Sequence, residues 1–168
     1  RIAPCRALDV GCGTGNSTIY LASKGFDSVG IDVSSVAIRR AKEKAARRSA
    51  NCRFYMMNLL DAKTVSNVIK DSFDLVMDHG CFHNMRRKDR RLYLHFLRSL
   101  TRPGSTYLLW SFHPGSRKLW RHICIDPEEV RELFSQDFKL LEERIVTREY
   151  MLYIMERKES FDSTKYNP

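Results

Sequence analysis

Three glycines in five positions, Gly11-Cys12-Gly13-Thr14-Gly15, follow directly on a short apolar run from Arg6 to Val10. Glycine enters left-handed backbone without a Cβ penalty, so such a cluster marks a tight reversal where a ligand can press on the main chain. Beyond it a helix is predicted from Asn16 to about Lys24, with Ile19, Leu21 and Ala22 apolar and Gly25 as the stop. Strand, glycine turn and helix in that order commit the chain to crossover connections and a parallel sheet.

The rest of the chain keeps the alternation. Ser28 to Asp32 reads as a second strand ending in an acid. Ser34 or Ser35 then caps a basic helix to about Ser49, whose apolar stripe is Val36, Ala37, Ala41 and Ala45. Cys52 to Met57 reads as the third strand, Asp61 to Lys70 as a helix, Phe73 to Met77 as the fourth strand and Asp89 to Leu100 as a helix. Arg102-Pro103-Gly104 is a turn before a fifth strand, Thr106 to Phe112. Asp126-Pro127-Glu128-Glu129 opens a helix with an N-cap, a proline at the first helical position and acids in the first turn, turning Val130, Leu133 and Phe134 inward. Too few residues separate Phe138–Val146 from Glu149–Arg157 for a crossover helix, so these two strands pair as a hairpin. The expected fold class is α/β: a Rossmann-like, open, twisted, mostly parallel sheet with helices on both faces and a C-terminal antiparallel β-hairpin. With no repeat and no linker, residues 1–159 are expected to form one domain and 160–168 a frayed polar tail.

Composition removes several classes of function. No apolar run approaches the roughly 18 residues of a membrane span, and no signal peptide precedes the first strand, so no membrane partner is expected. Five cysteines (Cys5, Cys12, Cys52, Cys81, Cys124) are scattered, with no C-x-x-C pair and no Cys/His cluster. That argues against a disulfide scaffold and a metal site, and for a reducing, cytoplasmic location. Lys and Arg outnumber Asp and Glu by 29 to 20, and the resulting +9 favours acidic partners such as RNA. Much of that charge sits in two runs, Arg39, Arg40, Lys42, Lys44, Arg47 and Arg48, and Arg86, Arg87, Lys88, Arg90 and Arg91. Two solvated helix faces are the plain reading and phosphate contact the sharper one. No aromatic-interleaved RNA-binding motif accompanies them.

In an open α/β sheet, ligands bind beyond the carboxyl ends of the strands, where the strand order reverses, and the first turn lies there. A dinucleotide fingerprint, G-x-G-x-x-G, would need its last glycine at position 16, which is Asn16. The run Asp9-Val10-Gly11-Cys12-Gly13-Thr14-Gly15 is instead D-x-G-x-G-x-G. It resembles the first motif of class I S-adenosylmethionine (SAM)-dependent methyltransferases. The resemblance continues through Val29-Gly30-Ile31-Asp32-Val33-Ser34, Phe73-Asp74-Leu75-Val76-Met77-Asp78, the Arg102-Pro103-Gly104 turn and the final hairpin.

That resemblance implies SAM as cofactor and methyl transfer to a small-molecule S, N or O nucleophile. It implies that Asp9 serves the methionyl end and that Gly11, Cys12, Gly13, Thr14 and Gly15 lie against the cofactor. Asp32 would take the ribose hydroxyls, and Asn58, with Asp61 as competitor, the adenine amine. Val33 and Leu59, with Met57, would flank the adenine. The run Asp78-His79-Gly80-Cys81-Phe82-His83 is similar to the subset acting on small thiols, halides, tellurite or thiopurines. It makes Asp78, His79 and His83 the candidate catalytic residues, with Phe82, Phe112 and His113 lining the acceptor side. Imidazoles suit proton removal near neutrality. Cys12 and Cys81 read as packing residues, since transfer from a sulfonium needs no enzyme nucleophile.

Three other readings stand beside this one. A nicotinamide-dependent oxidoreductase is opposed by Asn16 and by the hairpin. A methyltransferase acting on RNA or protein would use the basic runs. A non-catalytic SAM-fold subunit, or a lid-less domain needing a partner, is suggested by a first strand only a few residues from Arg1, without the helices that precede it in this family.

Overall fold

The computed structural model describes residues 2–61, 65, 67–115 and 124–159. Strands β1 (Arg6–Val10), β2 (Asp27–Asp32), β3 (Cys52–Met56), β4 (Phe73–His79), β5 (Thr101–Phe112), β6 (Phe138–Ile145) and β7 (Tyr150–Arg157) form a single sheet. Their order is β3-β2-β1-β4-β5-β7-β6. β1 to β5 pair in parallel, and β7 runs antiparallel to both β5 and β6. The order reverses between β1 and β4, which puts the glycine turn at the switch point. This is the α/β sheet and hairpin that the sequence pattern predicts.

Helices α1 (Asn16–Ser23), α2 (Ser35–Arg47), α3 (Arg90–Leu100) and α4 (Pro127–Phe134) cover the sheet. α1 and α2 close one face through Ile19, Ile38, Ala41, Ala45 and Phe54. The larger core gathers Leu8, Val10 and Val76 from the strands with Tyr93 and Leu97 of α3 and Phe134 of α4. Ser34 caps α2, its Oγ accepting from Ala37 N at 3.2 Å, and Asp126 caps α4, accepting from Glu128 N at 2.9 Å. The α2 stripe differs from the expected one. Ile38, Ala41 and Ala45 are buried, spaced three and four apart, whereas Val36 lies off that line and is exposed.

The Arg102-Pro103-Gly104 turn lies inside β5 rather than before it. Phe73 pairs with Thr101 and Leu75 with Thr106, so residues 102–105 bulge out of the ladder. Ser105 closes the bulge, its Oγ accepting from Arg102 N and donating to the Phe73 carbonyl. Of the helix expected over Asp61 to Lys70, Val65 and Ile69 are buried, with Ile69 N donating to Val65 O at 2.9 Å. Residues 62–64 and 66, and the expected tail from 160 to 168, lie outside the described residues. At the sheet edge, β6 is interrupted by an irregularity between Leu140 and Glu142, a usual protection for an exposed strand. No helix among the described residues is long and apolar enough to cross a membrane.

Candidate active site

The turn after β1 is left-handed at Gly11, Gly13 and Gly15, with φ of +65°, +53° and +78°. Gly15 stands at the N-cap of α1, where a Cβ would lie 2.7 Å from the Phe54 ring. At Gly11 a Cβ would lie 2.7 Å from Cys81 Cβ, so the turn is packed against the segment after β4. Gly13 differs: nothing lies within 4 Å of its Cβ position. Two glycines are therefore required by close packing, and the middle one faces open space.

Three carboxylates surround this turn and do different things. Asp9 is buried, and its Oδ2 accepts from Thr18 N at 3.0 Å and Thr18 Oγ1 at 2.7 Å, fastening β1 to α1. Burial pushes its carboxyl up to about 6, against the Thr18 bonds and with help from Asp32. Asp32 is only half-buried. Its Oδ2 accepts from Gly13 N at 2.9 Å and its Oδ1 from Ser34 N at 2.8 Å, so it ties the glycine turn to the start of α2. Each carboxylate oxygen has a second lone pair for a ligand hydroxyl.

Asp78 is 0% exposed. Its carboxylate accepts from Cys81 N at 2.7 Å, Phe82 N at 3.0 Å and Tyr93 Oη at 2.6 Å, and Tyr93 Oη stands 3.0 Å from Tyr107 Oη. Burial is again the main reason its carboxyl rises to about 6, the Tyr93 and backbone bonds opposing it. The side chain is thus turned away from solvent and holds the loop that carries Cys81 and Phe82. Strand period foretells this. Val76 and Asp78 share the core face, and Met77 and His79 take the other.

On the side expected to take adenine, Val33 is 71% exposed beside Asp32, an apolar surface with no cover among the described residues. Leu59 and Met57 are buried in the main core instead. Asn58 is exposed, and its Oδ1 accepts from Leu60 N at 3.0 Å in an Asx turn that also brings Asp61 N to the Asn58 carbonyl. Lys44 is not simply part of a solvated face. Its Nζ donates to Thr14 Oγ1 at 2.9 Å and Asn16 Oδ1 at 2.7 Å, bracing the glycine turn from α2. Arg90 also leaves the basic run: it is buried and pairs with Glu129 at 2.6 Å.

On the other side of the switch, the two candidate histidines separate. His79 is exposed at the tip of β4, its ring 5.8 Å from Trp110 and 5.4 Å from Tyr150. His83 is buried, its ring 4.6 Å from Phe112. His113 follows β5 with Nδ1 accepting from Gly115 N at 3.1 Å, and its buried Nε2 has no partner among the described residues. Burial and nearby carboxylates push the thiols of Cys12 and Cys81 upward, so both are protonated packing groups at neutral pH. No cluster of potential metal ligands occurs among the described residues. Sequence reasoning missed Thr18, Tyr93 and Tyr150. Thr18, a hydroxyl side chain in the first turn of α1, just past the glycine cluster, carried the clearest signal.

Residues 3–159 match the sequence profile of a family described as a methyltransferase domain. The chain belongs to that family. An uncharacterized methyltransferase of Schizosaccharomyces pombe is 34% identical over 114 residues, 68% of this chain and 76% of that protein. Among solved structures, a SAM-dependent methyltransferase of Methanosarcina mazei superposes with a TM-score of 0.80 at 20% identity, covering 95% of both chains. The Burkholderia thailandensis 1,6-didemethyltoxoflavin-N1-methyltransferase, solved with that compound and S-adenosylhomocysteine (SAH), gives 0.76 at 20% identity, covering 93% of this chain and 72% of that one. The methyltransferase uses SAM as its cofactor, and the open space at Gly13, the Asp32 carboxylate and the bare Val33 surface fit a nucleoside with a short polar tail.

Proposed function

We propose that the enzyme methylates a small-molecule nucleophile by in-line displacement, with the cofactor held over the glycine turn and the acceptor beside β4. The observation that carries this is the open, Asp32-clasped turn at Gly13 lying across the switch point from the exposed imidazole of His79. When bound, SAM supplies a methyl group on a sulfonium whose departure leaves a neutral thioether. The chain's own task is alignment of the two reactants and exclusion of water.

Asp32 accepts the ribose hydroxyls on its free lone pairs while keeping Gly13 N and Ser34 N. The backbone of Gly11 to Gly15 lies along the cofactor, and Asp9 holds that turn to α1 from behind, its negative charge favouring a cation above it. Val33 covers one face of the adenine and Asn58 approaches its amine, with Asp61 next to it. Asp78 acts as a positioning residue, through the Cys81 and Phe82 amides, and His79 is the group that receives a proton from the acceptor. His83 backs the acceptor wall. The acceptor carried by the Burkholderia neighbour, itself a small molecule, supports a small-molecule site here. The buried, ion-paired Arg90 lessens the case for a phosphate-binding helix face.

Calorimetric titration with SAM and with SAH tests the cofactor half. Asp32→Ala removes hydrogen bonds worth about 1–3 kcal/mol, a loss of roughly five- to 150-fold in affinity. An unchanged affinity in that variant removes the ribose assignment.

A further inference from the structure

We infer that the acceptor is a planar heteroaromatic compound carrying an ionisable N–H, O–H or S–H, stacked on a wall of rings at the tips of β4, β5 and β7. This rests on the methyltransferase reading above and narrows it, since thiols, halides and tellurite oxyanions are not planar π systems.

The wall is assembled by strand pairing. Val10, the last residue of β1, pairs with Asp78, so His79 is the next residue along β4 at the end where the glycine turn begins. His79 pairs in turn with Trp110, and Phe112 with Tyr150. The rings meet: His79 lies 5.8 Å from Trp110 and 5.4 Å from Tyr150, edge-on to the latter. Phe112 stacks on Tyr150 at 4.6 Å and 28°, with His83 behind it, also at 4.6 Å. Burial is graded outward. Phe112 and His83 are buried, Trp110 and Tyr150 half-buried, and His79 exposed. Ordinary core aromatics are buried throughout, whereas this group offers ring surface at the mouth of the cofactor turn.

Such a wall selects by shape. Ring faces and edges reward a flat partner at 4.5–7 Å between centroids, and a short flexible thiol would leave most of that surface wet. The wall also contains the exposed imidazole of His79, which suits an acidic proton on a ring heteroatom. In the step itself the heteroatom lone pair forms the bond to the methyl carbon, and the C–S bonding pair returns to sulfur. The sulfonium charge is thereby neutralised, and the acceptor's proton passes to His79 and then to solvent.

The test uses the whole chain with 4-hydroxyquinoline and 6-mercaptopurine as planar probes, and 2-mercaptoethanol and iodide as non-planar ones. Binding is measured by calorimetry in the presence of SAH, and methylation by mass spectrometry with SAM. Planar probes are expected to bind and to be methylated with higher kcat/KM than the non-planar ones. Trp110→Leu and Tyr150→Leu are each expected to weaken planar binding and raise KM about tenfold, as loss of a stacking ring does. Their SAH affinity, expected to stay within about twofold of wild type, reports that they are folded. The wild-type panel decides alone if either variant fails to fold. Wild-type SAH binding without planar binding, or better turnover of 2-mercaptoethanol or iodide, overturns the planar acceptor alone. Absence of both SAM and SAH binding by the wild type overturns the cofactor reading and this inference with it.

Discussion

The two sides of the β1/β4 switch are built by opposite means. On the β1–β2 side the surface is backbone and charge, with three left-handed glycines, Asp9 fixed to Thr18 and Asp32 fixed to Gly13 N. On the β4–β5–β7 side it is rings, His79, Trp110, Phe112 and Tyr150, set side by side by strand register. The first surface depends on dihedral angles that few residues other than glycine adopt, so it tolerates little change. The second depends on side chains standing on regular strands, so substitutions there change what is recognised while the sheet persists.

The largest effect should come from breaking the first surface at its tightest point. Gly15→Val adds a β-branched side chain at a φ of +78°, where even a Cβ meets Phe54 at 2.7 Å. Strain and overpacking together predict a loss of at least about 3 kcal/mol in urea unfolding, with no measurable SAM binding in calorimetry. A stable variant that still binds SAM would show that the turn is far more plastic than its packing indicates.

Asp78 lies where the two sides meet, and its protonation sharpens the contrast. Folded, Asp9 and Asp78 have carboxyl pKa values near 6 against an ordinary 3.8, so the folded state binds more protons between about pH 4 and 6. Their contribution to stability is therefore full below about pH 4 and is lost as the pH rises through 6. Asp78→Asn removes one of these groups. Relative to wild type, it should gain about 2–3 kcal/mol of unfolding free energy between pH 4 and pH 7, whatever its absolute stability. Denaturant titrations at several pH values check this, and parallel profiles for the two proteins would mean that Asp78 titrates normally.

The same contrast explains how much the sequence could tell. Asp9 to Gly15 is a contiguous run whose glycine spacing constrains the backbone locally, so the turn, the following helix and the acid closing β2 are readable without a structure. Parallel pairing of the first five strands and the hairpin at the end follow from connection lengths, because a short link cannot cross over. The ring wall has no local signature. His79, Trp110 and Tyr150 come from three distant strands and become neighbours only once the registers are set. Tyr150, at the first position of β7, reads as one more strand aromatic until Phe112 is placed opposite it. Helix phase failed for a smaller reason: Val36 is a conspicuous apolar residue, but it is Ile38, with the half-buried Ala37, that lies on the line through Ala41 and Ala45. Asp78 could have been placed from strand period, yet the motif around it drew attention to chemistry rather than burial.

Lys44 gives the smallest effect and the most direct check on how the first surface is held. Read along α2, it is one of six basic residues on a solvated face, and its loss should then be neutral. In the structure its ammonium joins Thr14 and Asn16, the residues on either side of Gly15, so α2 limits how far the turn can open. Lys44→Met keeps most of the aliphatic stem and deletes both bonds. The expected cost is about 0.5–1 kcal/mol of stability and a few-fold weakening of SAM binding. Lys44→Arg should restore part of each, because a guanidinium can still donate to both oxygens. The acceptor KM should not move in either variant, since the ring wall lies across the switch and shares no contact with Lys44. A Lys44→Met protein with wild-type SAM affinity would return this residue to the solvated face. A change in acceptor KM alone would show that the two surfaces are mechanically coupled.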